Sequence, residues 1–545
     1  MDKSLVKKLR KGLEVRTTFH GIESVFSPVD QKKVGAKNGL LNKDSMIQAK
    51  DRVLCYDRGE VKSAVIQQVK VLNHLPRFQL ESKKWVGKTK ILAKIMPILD
   101  NAATAIDDMG DRFFLTCEPN VLDFTNLDKG AKIVLISKPS RIEIPMPKDR
   151  LGATLAISGL DSFLTRPEKV IIGWNIKPII TYMRGRSEAM KTDGEDPVNG
   201  WDVRGKVFDL KLLESYLGID LPCPQTYLEA GGRLSQVFKH PSWKTLQKIY
   251  KEVYMPLMLD VLPSMEIAGL NHTELGMRVH PCYEIEGQAN GRMRCDPRAF
   301  TRGFNPHSLG ADEKVALRAL TYDKCFLYLD YHHMEVTMLQ YLSGDQRLKH
   351  ILDSGQDIYC GIWEQITTLP CDEKFRKVCK NLFLPVVYGQ GIKSVADRAK
   401  VSETTAKKLV DRIYSMFGTA LSWAKEQQSN LDAQNFVTDY FQRRRKFEEK
   451  QYRIRNFAVQ APAAIVCLHK LVKLHEALSS EKLRKVAHLI LHLHDGYVIM
   501  CSEKSWRKVR DRATEVLEAD EELYPGLPLT VSCHKGANLN EMMPV

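Results

Sequence analysis

Residues 326–345, FLYLDYHHMEVTMLQYLSGD, decide how this chain is read. The stretch begins as a buried strand, turns into a helix, and leaves one aspartate, Asp330, exposed at the junction. An aspartate in that place caps the following helix in many α/β proteins, so alone it carries no chemistry. A second carboxylate must join it from elsewhere in the chain.

Residues 486–503, VAHLILHLHDGYVIMCSE, supply one. They read as two apolar strands joined at Asp495-Gly496, a strong hairpin signal, with Asp495 at the tip beside His494. Two strand-end aspartates can share a pair of divalent cations about 3.5–4 Å apart, the arrangement used for in-line phosphoryl transfer. Mg²⁺ suits such a site, with Mn²⁺ as the alternative, because it takes a few carboxylates plus substrate phosphate oxygens.

Between the aspartates lies EKFRKVCKNLFLPVVYGQG, residues 373–391, in which Arg376, Lys380, Leu384 and Tyr388 recur every four residues. On a helix they form one slowly drifting stripe. Arg and Lys one turn apart can grip a triphosphate, and the aromatic and glycine beyond them leave a flat surface for a base. Without the flanking aspartates, the same stripe would read as a solvated basic face.

With 545 residues the chain is long enough for several domains. Its 81 Lys+Arg against 66 Asp+Glu give +15, as expected of a protein that meets a polyanion, nucleic acid first. Twelve scattered cysteines without a CxxC pair argue against a zinc knuckle or disulfide framework and for a reducing compartment. No run approaches about 18 uninterrupted apolar residues and the first residues lack a signal-peptide stretch, so the expectation is a soluble intracellular protein without membrane contact.

Residues 50–90 alternate β-branched and polar residues around turn signals, which predicts a small β-rich module. From 111 to 220 strands and helices alternate, as in an α/β domain, and a mainly helical stretch follows 245.

The pieces 330–335, 376–389 and 494–495, in this order, resemble motifs A, B and C of the family A (bacterial polymerase I-like) DNA polymerases. Asp330-Tyr331-His332-His333-Met334-Glu335 resembles the family's Asp-Tyr-Ser-Gln-Ile-Glu; Arg376, Lys380, Tyr388 and Gly389 match its motif B; His494 and Asp495 match the first two residues of its His-Asp-Glu. SGQDIYCGIW (354–363), NGRMRCDP (290–297) and RNFAVQAPAA (455–464) resemble three further family segments, so the likeness covers about 250–545.

This resemblance implies a template-dependent DNA polymerase that adds deoxynucleoside triphosphates to primer-template DNA through two Mg²⁺ ions. Asp330 and Asp495 would bind the ions, with the Tyr331 carbonyl as a further ligand; Arg376 and Lys380 would neutralise the triphosphate, and Lys380 would also protonate the leaving pyrophosphate. Glu335 would gate the sugar, Tyr388 would stack near the template base, and Arg292, Asn456, Gln460 and His494 would track the primer terminus.

The chain departs from the family in several places. Leu384 replaces an aromatic residue and Pro385 follows it, which predicts a kink; Gly496 replaces the motif C glutamate. Only a short segment separates Gly269 from Gly291 where the family inserts a thumb, so the thumb is missing or a stub and retention on DNA must come from elsewhere, from the N-terminal module or a processivity or replisome partner. FFLTCEPNVLD, GWNIKPII and VFDLKLLESYLG resemble the family's 3′–5′ exonuclease domain, but Thr116 and Ile179 stand at metal-ligand positions, Glu118 alone remains, and no Asp occurs between Asp220 and Asp260. One carboxylate does not build a two-metal nuclease site.

The expected architecture is therefore α/β and α+β multidomain. It comprises a β-rich module (1–100), a degenerate, RNase H-like exonuclease domain (101–245), a connecting helix and thumb stub (246–279), a right-hand palm (280–344 and 435–545) and fingers (345–434). Two rival readings stand beside it: a single-subunit RNA polymerase-like enzyme, suggested by the non-aromatic Leu384, and a non-catalytic DNA-binding replisome protein. Glu335 speaks against the first and the paired aspartates against the second.

Overall fold

The computed structural model describes residues 206–268, 270–272, 277–295, 305–319, 323–448, 452–480 and 482–545. N-terminal to these it describes segments at 112–118, 132–137, 141–145 and 169–181, with strand backbone between 14 and 95. In the region expected to be β-rich, strand backbone at Arg52–Asp57, Glu60–Leu72, Leu75–Leu80, Trp85–Gly87 and Ile91–Ile95 forms one sheet with Leu41–Asn42.

A second sheet contains β1 (Arg112–Glu118), β2 (Lys132–Ile136), β3 (Arg141–Pro145), β4 (Val170–Gly173) and β5 (Lys206–Asp209) in the order β3-β2-β1-β4-β5. The β1-β2-β3 side is antiparallel and β1-β4-β5 is parallel. Its central strand reads as a continuous apolar run because both faces are covered: Phe113, Phe114 and Leu115 are wholly buried. Asp209 ends β5 and caps the helix α1 (Leu210–Tyr216), accepting from the backbone N–H of Leu212 at 3.3 Å and of Ile176 at 2.8 Å.

A helical run, α-helical over Trp243–Ile249 and Leu262–Ala268 with two π turns between, leads out of this domain. Buried charges weld it to the rest. Glu266, wholly buried, pairs with Lys177 and accepts from Thr181 at 3.0 Å and from the Tyr283 N–H at 2.8 Å. Arg443 and Glu286 form a second buried pair, to which Tyr254 also donates.

The palm-like sheet is antiparallel throughout. It holds β6 (Lys324–Tyr331), β7 (Ala487–Leu493), β8 (Gly496–Ser502), β9 (Val531–Gly536) and β10 (Met543–Pro544) in the order β7-β8-β6-β9-β10. Strand alternation divides β6 between two layers. Phe326 packs with Leu270, Ile490 and Val498 on one face, while Leu327 and Leu329 join the large core that includes Val459, Val466 and Leu471. The last three belong to α4 (Tyr452–Leu478), apolar enough by composition over Arg453–Leu478 to span a membrane, yet with 89% of its apolar window buried inside the fold. It is a core helix.

After β6 the chain enters α2 (Met334–Ser343), which stops at Gly344 in a left-handed conformation (φ 68°). Among the helices that follow is α3 (Glu373–Val387), capped by Asp372. Pro385 lies in its last turn, so the expected disruption falls where few hydrogen bonds remain and the helix continues to Val387. One expectation is corrected here: Cys360 and Cys371 are joined by a disulfide that ties the helix Ile358–Thr367 to the segment before α3. No CxxC-type spacing marks that pair in the sequence.

Candidate active site

The two aspartates meet at one end of the central strands. Asp330 lies across from Gly496 in the β6-β8 register, and the Tyr331 N–H donates to the Asp495 carbonyl at 3.2 Å. Leu493 pairs with Gly496, so the two-residue turn is His494-Asp495 and not Asp495-Gly496 as the dipeptide suggested; His494 takes the left-handed conformation (φ 63°) that such a turn requires.

Neither aspartate serves as a helix cap. The residue that opens α2 is His333, without a side-chain cap bond, and the capping carboxylate in this stretch is Asp345, which accepts from Arg347 and Leu348 at 3.0 Å each. Asp330 Oδ1 is buried without a hydrogen-bond partner. Burial, and next the charge of Asp495, push the Asp330 pKa up to about 6. Burial raises Asp495 too, opposed first by the Arg292 charge. Two dehydrated carboxylates that repel each other, one with an orphaned oxygen, are suited to a divalent cation, which relieves both penalties. Among the described residues no group of three or more His, Cys, Asp or Glu side chains is placed to hold a metal ion, so backbone, phosphate or water oxygens would complete any coordination shell.

Helix α3 lays its basic stripe along this end of the sheet. Lys380 is exposed, and its charge pulls both aspartate pKa values down. Arg376 donates from Nε to Asp357 Oδ2 at 2.9 Å and stands 5.8 Å from the Tyr359 ring. His333 reaches the same Asp357 oxygen at 3.3 Å. Asp357 also caps its own helix, accepting from Tyr359 and Cys360, so one fixed carboxylate orients the guanidinium and leaves its Nη groups for another anion.

Glu335 is the hub of the second half of the site. Oε1 accepts from Arg292 at 2.9 Å and from Gln460 at 3.0 Å, Oε2 accepts from the Tyr388 hydroxyl, and Asn290 donates to Gln460 at 2.9 Å. Tyr388 is only 7% exposed and turned to Glu335, so in this arrangement it does not present an open stacking face. Asn456 lines a groove of about 750 Å³ with Arg445, Lys446, Phe447, Arg453 and Phe457, a basic and aromatic wall suited to a nucleic-acid backbone. His494 stacks on His307 with ring centroids 4.4 Å apart. Burial and then His494 press the His307 pKa down to about 4, so His307 is neutral at pH 7.

The structure therefore brings together Asp330, Tyr331, Glu335, Arg376, Lys380, Tyr388, Arg292, Gln460, His494 and Asp495, with Asn456 on the adjoining groove. Sequence reasoning missed Asp357, His333, His307, Asn290 and Tyr328. Only Asp357 carried a signal, as a capping aspartate ahead of an apolar helix.

In the other α/β sheet the suspect positions hold no carboxylate cluster. Thr116 is buried and donates to the Trp174 carbonyl at 3.5 Å, and Ile179 is wholly buried. Glu118 is tied to Arg141 at 2.8 Å and Lys132 at 3.4 Å, which hold its pKa below the ordinary value against burial.

The family model for DNA polymerase family A matches residues 237–541, more than half of the chain. The chain belongs to DNA polymerase family A. In this family A chain, DNA polymerase I of Chloroflexus aurantiacus is 23% identical over 315 residues, covering 53% of the chain and 33% of that protein. The thermostable DNA polymerase I of Thermus filiformis is 26% identical over 225 residues, covering 38% and 26%. The chain thus spans a third or less of these curated relatives. Its fold is similar to that of the polymerase domain of Pol1 from M. smegmatis, solved with DNA primer-template and dNTP, at TM-score 0.62 and 14% identity over 81% of this chain and 98% of that one.

Proposed function

We propose that this family A protein is a template-directed DNA polymerase that adds deoxynucleotides to a primer 3′ end. The observation that carries the reading is the pair Asp330 and Asp495, one at the end of β6 and one in the β7–β8 turn beside it, both raised in pKa first by burial and both faced by Lys380. The M. smegmatis relative holds primer-template and dNTP, and the proposal carries both ligands to this chain.

Asp330 and Asp495 would hold divalent cations, Mg²⁺ or Mn²⁺, with the Tyr331 carbonyl beside them. Bound there, the ions would favour the 3′-alkoxide and neutralise charge developing on the triphosphate. The remaining work falls to the protein's own groups. Arg376, held at Nε by Asp357, receives phosphate oxygens on its Nη atoms, and Lys380 supplies a mobile point charge and a proton for the leaving pyrophosphate. Glu335, fixed on three sides, closes the space where a ribose 2′-hydroxyl would sit, and Tyr388 shifts from it to receive the base pair. Arg292, Gln460, Asn456 and His494 track the primer end and template.

We assign the domains by the divisions drawn from the sequence, taking the 101–245 unit as a structural support that does not proofread and the short strands Leu270–His272 and Met277–Val279 as what stands in the thumb's place. Retention on DNA then rests on the basic groove and on a processivity partner. The RNA polymerase-like alternative is separated from this one by the fixed Glu335. Primer extension on a defined template, with deoxy- and ribonucleotides in parallel, tests the reading: extension with deoxynucleotides supports it, and extension with ribonucleotides alone overturns it.

A further inference from the structure

Gly496 has a neighbour that explains why it is glycine. An added Cβ would lie 2.5 Å from Tyr328 Cε2, 2.7 Å from the Tyr328 hydroxyl oxygen and 2.9 Å from Asp330 Oδ1. Every side chain other than hydrogen is excluded there while the tyrosine stands where it does. The turn does not demand the glycine, since the turn is His494-Asp495 and Gly496 is already the first residue of β8.

Tyr328 and Asp330 are two residues apart on β6 and so project from the same face. The tyrosine ring is half-buried, 6.4 Å from the ring of His534, and its phenol lies beside the carboxylate. The geometry points to Tyr328 as the positioning residue for Asp330: its hydroxyl takes the volume beside the carboxylate that a side chain at position 496 would otherwise fill, and fixes the Asp330 carboxylate for metal binding.

Two properties suit the phenol to this task. It is an uncharged hydroxyl set against the carboxylate, its oxygen and Asp330 Oδ1 lying 2.7 and 2.9 Å from the Cβ position that Gly496 leaves empty. Asp330 Oδ1, meanwhile, is buried and keeps no hydrogen bond, an unmet acceptor that a cation would satisfy. A donor beside a metal-binding carboxylate fixes its orientation without adding charge, whereas a carboxylate at position 496 would make a third anion in a site that already penalises two. The site is therefore a two-carboxylate site by construction, with Tyr328 and Gly496 as a matched large–small pair.

This inference rests on the polymerase reading, and its test separates the two. Mn²⁺ binding is followed by electron paramagnetic resonance on wild type, Tyr328→Phe, Gly496→Glu, and the double variant Tyr328→Ser with Gly496→Glu. Each is bound to primer-template with a dideoxy-terminated primer and dNTP, and extension is measured separately on an ordinary primer. Tyr328→Phe keeps the ring and should leave the melting temperature unchanged while weakening Mn²⁺ binding about tenfold and raising the metal concentration for half-maximal extension to match. Gly496→Glu alone should lose metal binding and extension, and the double variant should recover both only in part, staying below Tyr328→Phe, because the serine vacates the clash while the phenol is still missing and the third anion remains. Unchanged Mn²⁺ affinity in Tyr328→Phe, or a double variant no better than Gly496→Glu, overturns the assignment. A wild-type protein that extends no primer brings down the polymerase reading instead.

Discussion

Replacing Asp330 by Asn should destroy nucleotide addition and at the same time stabilise the metal-free fold. At pH 8 with a chelator, the wild-type protein must keep Asp330 ionised at a buried strand end next to Asp495. Its pKa stands at about 6 against 3.8 for a free side chain, and each pKa unit is worth about 1.4 kcal/mol, which gives about 3 kcal/mol. The site is partly open to water, so the gain read in experiment should be nearer 2 kcal/mol. The sign follows from proton binding. Because the folded state holds the proton more tightly than the unfolded one, stability falls as pH rises from about 4 to about 6 and stays low above. Asn carries no charge at any pH. Urea unfolding in EDTA should therefore show Asp330→Asn more stable than wild type by about 2 kcal/mol at pH 8, with the difference shrinking toward zero near pH 4. Adding Mg²⁺ should stabilise the wild type and leave the variant unmoved. An Asn variant that is no more stable at pH 8, or whose advantage persists at pH 4, would refute the argument from a buried charge repelled by its neighbour.

Other expectations follow from the same contacts. Glu266→Ala strands the buried Lys177 and should lower stability by about 3–5 kcal/mol, whereas a Lys177→Met, Glu266→Leu double variant should recover most of it in the same unfolding assay. Glu335→Ala opens the space beside the sugar and should cut the preference for deoxy- over ribonucleotides by about tenfold or more in kcat/KM, a change of about 1.4 kcal/mol. A labelled mismatched primer should keep its length when nucleotides are withheld, since Glu118 is committed to Arg141 and Lys132; shortening that disappears in Glu118→Ala would show a working nuclease. Without a partner, products from single encounters in the presence of trap DNA should be short and should shorten steeply with salt, as expected when retention leans on phosphate contacts.

The palm-like sheet was legible because its strands are short apolar runs ended by Asp330 and by the hairpin of Asp495, patterns set by burial and local turn chemistry. Even there the turn moved by one residue. Local propensity assigns Asp-Gly to the tip, but Gly496 pairs with Leu493 and Asp330 in the sheet, a register that the local sequence does not encode. The stripe of α3 was legible for the same periodic reason, while the anchoring of Arg376 by Asp357 and His333 was not, since those residues come from a turn and another helix. Glu335 was readable only as a family position. That it is fixed by Arg292, Gln460 and Tyr388 depends on contacts 43, 125 and 53 residues away. The disulfide Cys360–Cys371 had no signature in spacing, and the buried pairs at Glu266 and Glu286 are charges that hydrophobic patterning would assign to the surface.

The measurement that bears most directly on the central claim is Mg²⁺-dependent, single-turnover primer extension by wild type, Asp330→Ala and Asp495→Ala, with primer-template affinity measured on the same preparations. The wild type should extend. Each variant should lose extension by about a thousandfold or more while binding DNA within a few-fold of wild type, because phosphate contacts from many basic groups carry the affinity and the two carboxylates carry the chemistry. Substantial Mg²⁺-dependent extension by either variant would contradict the account.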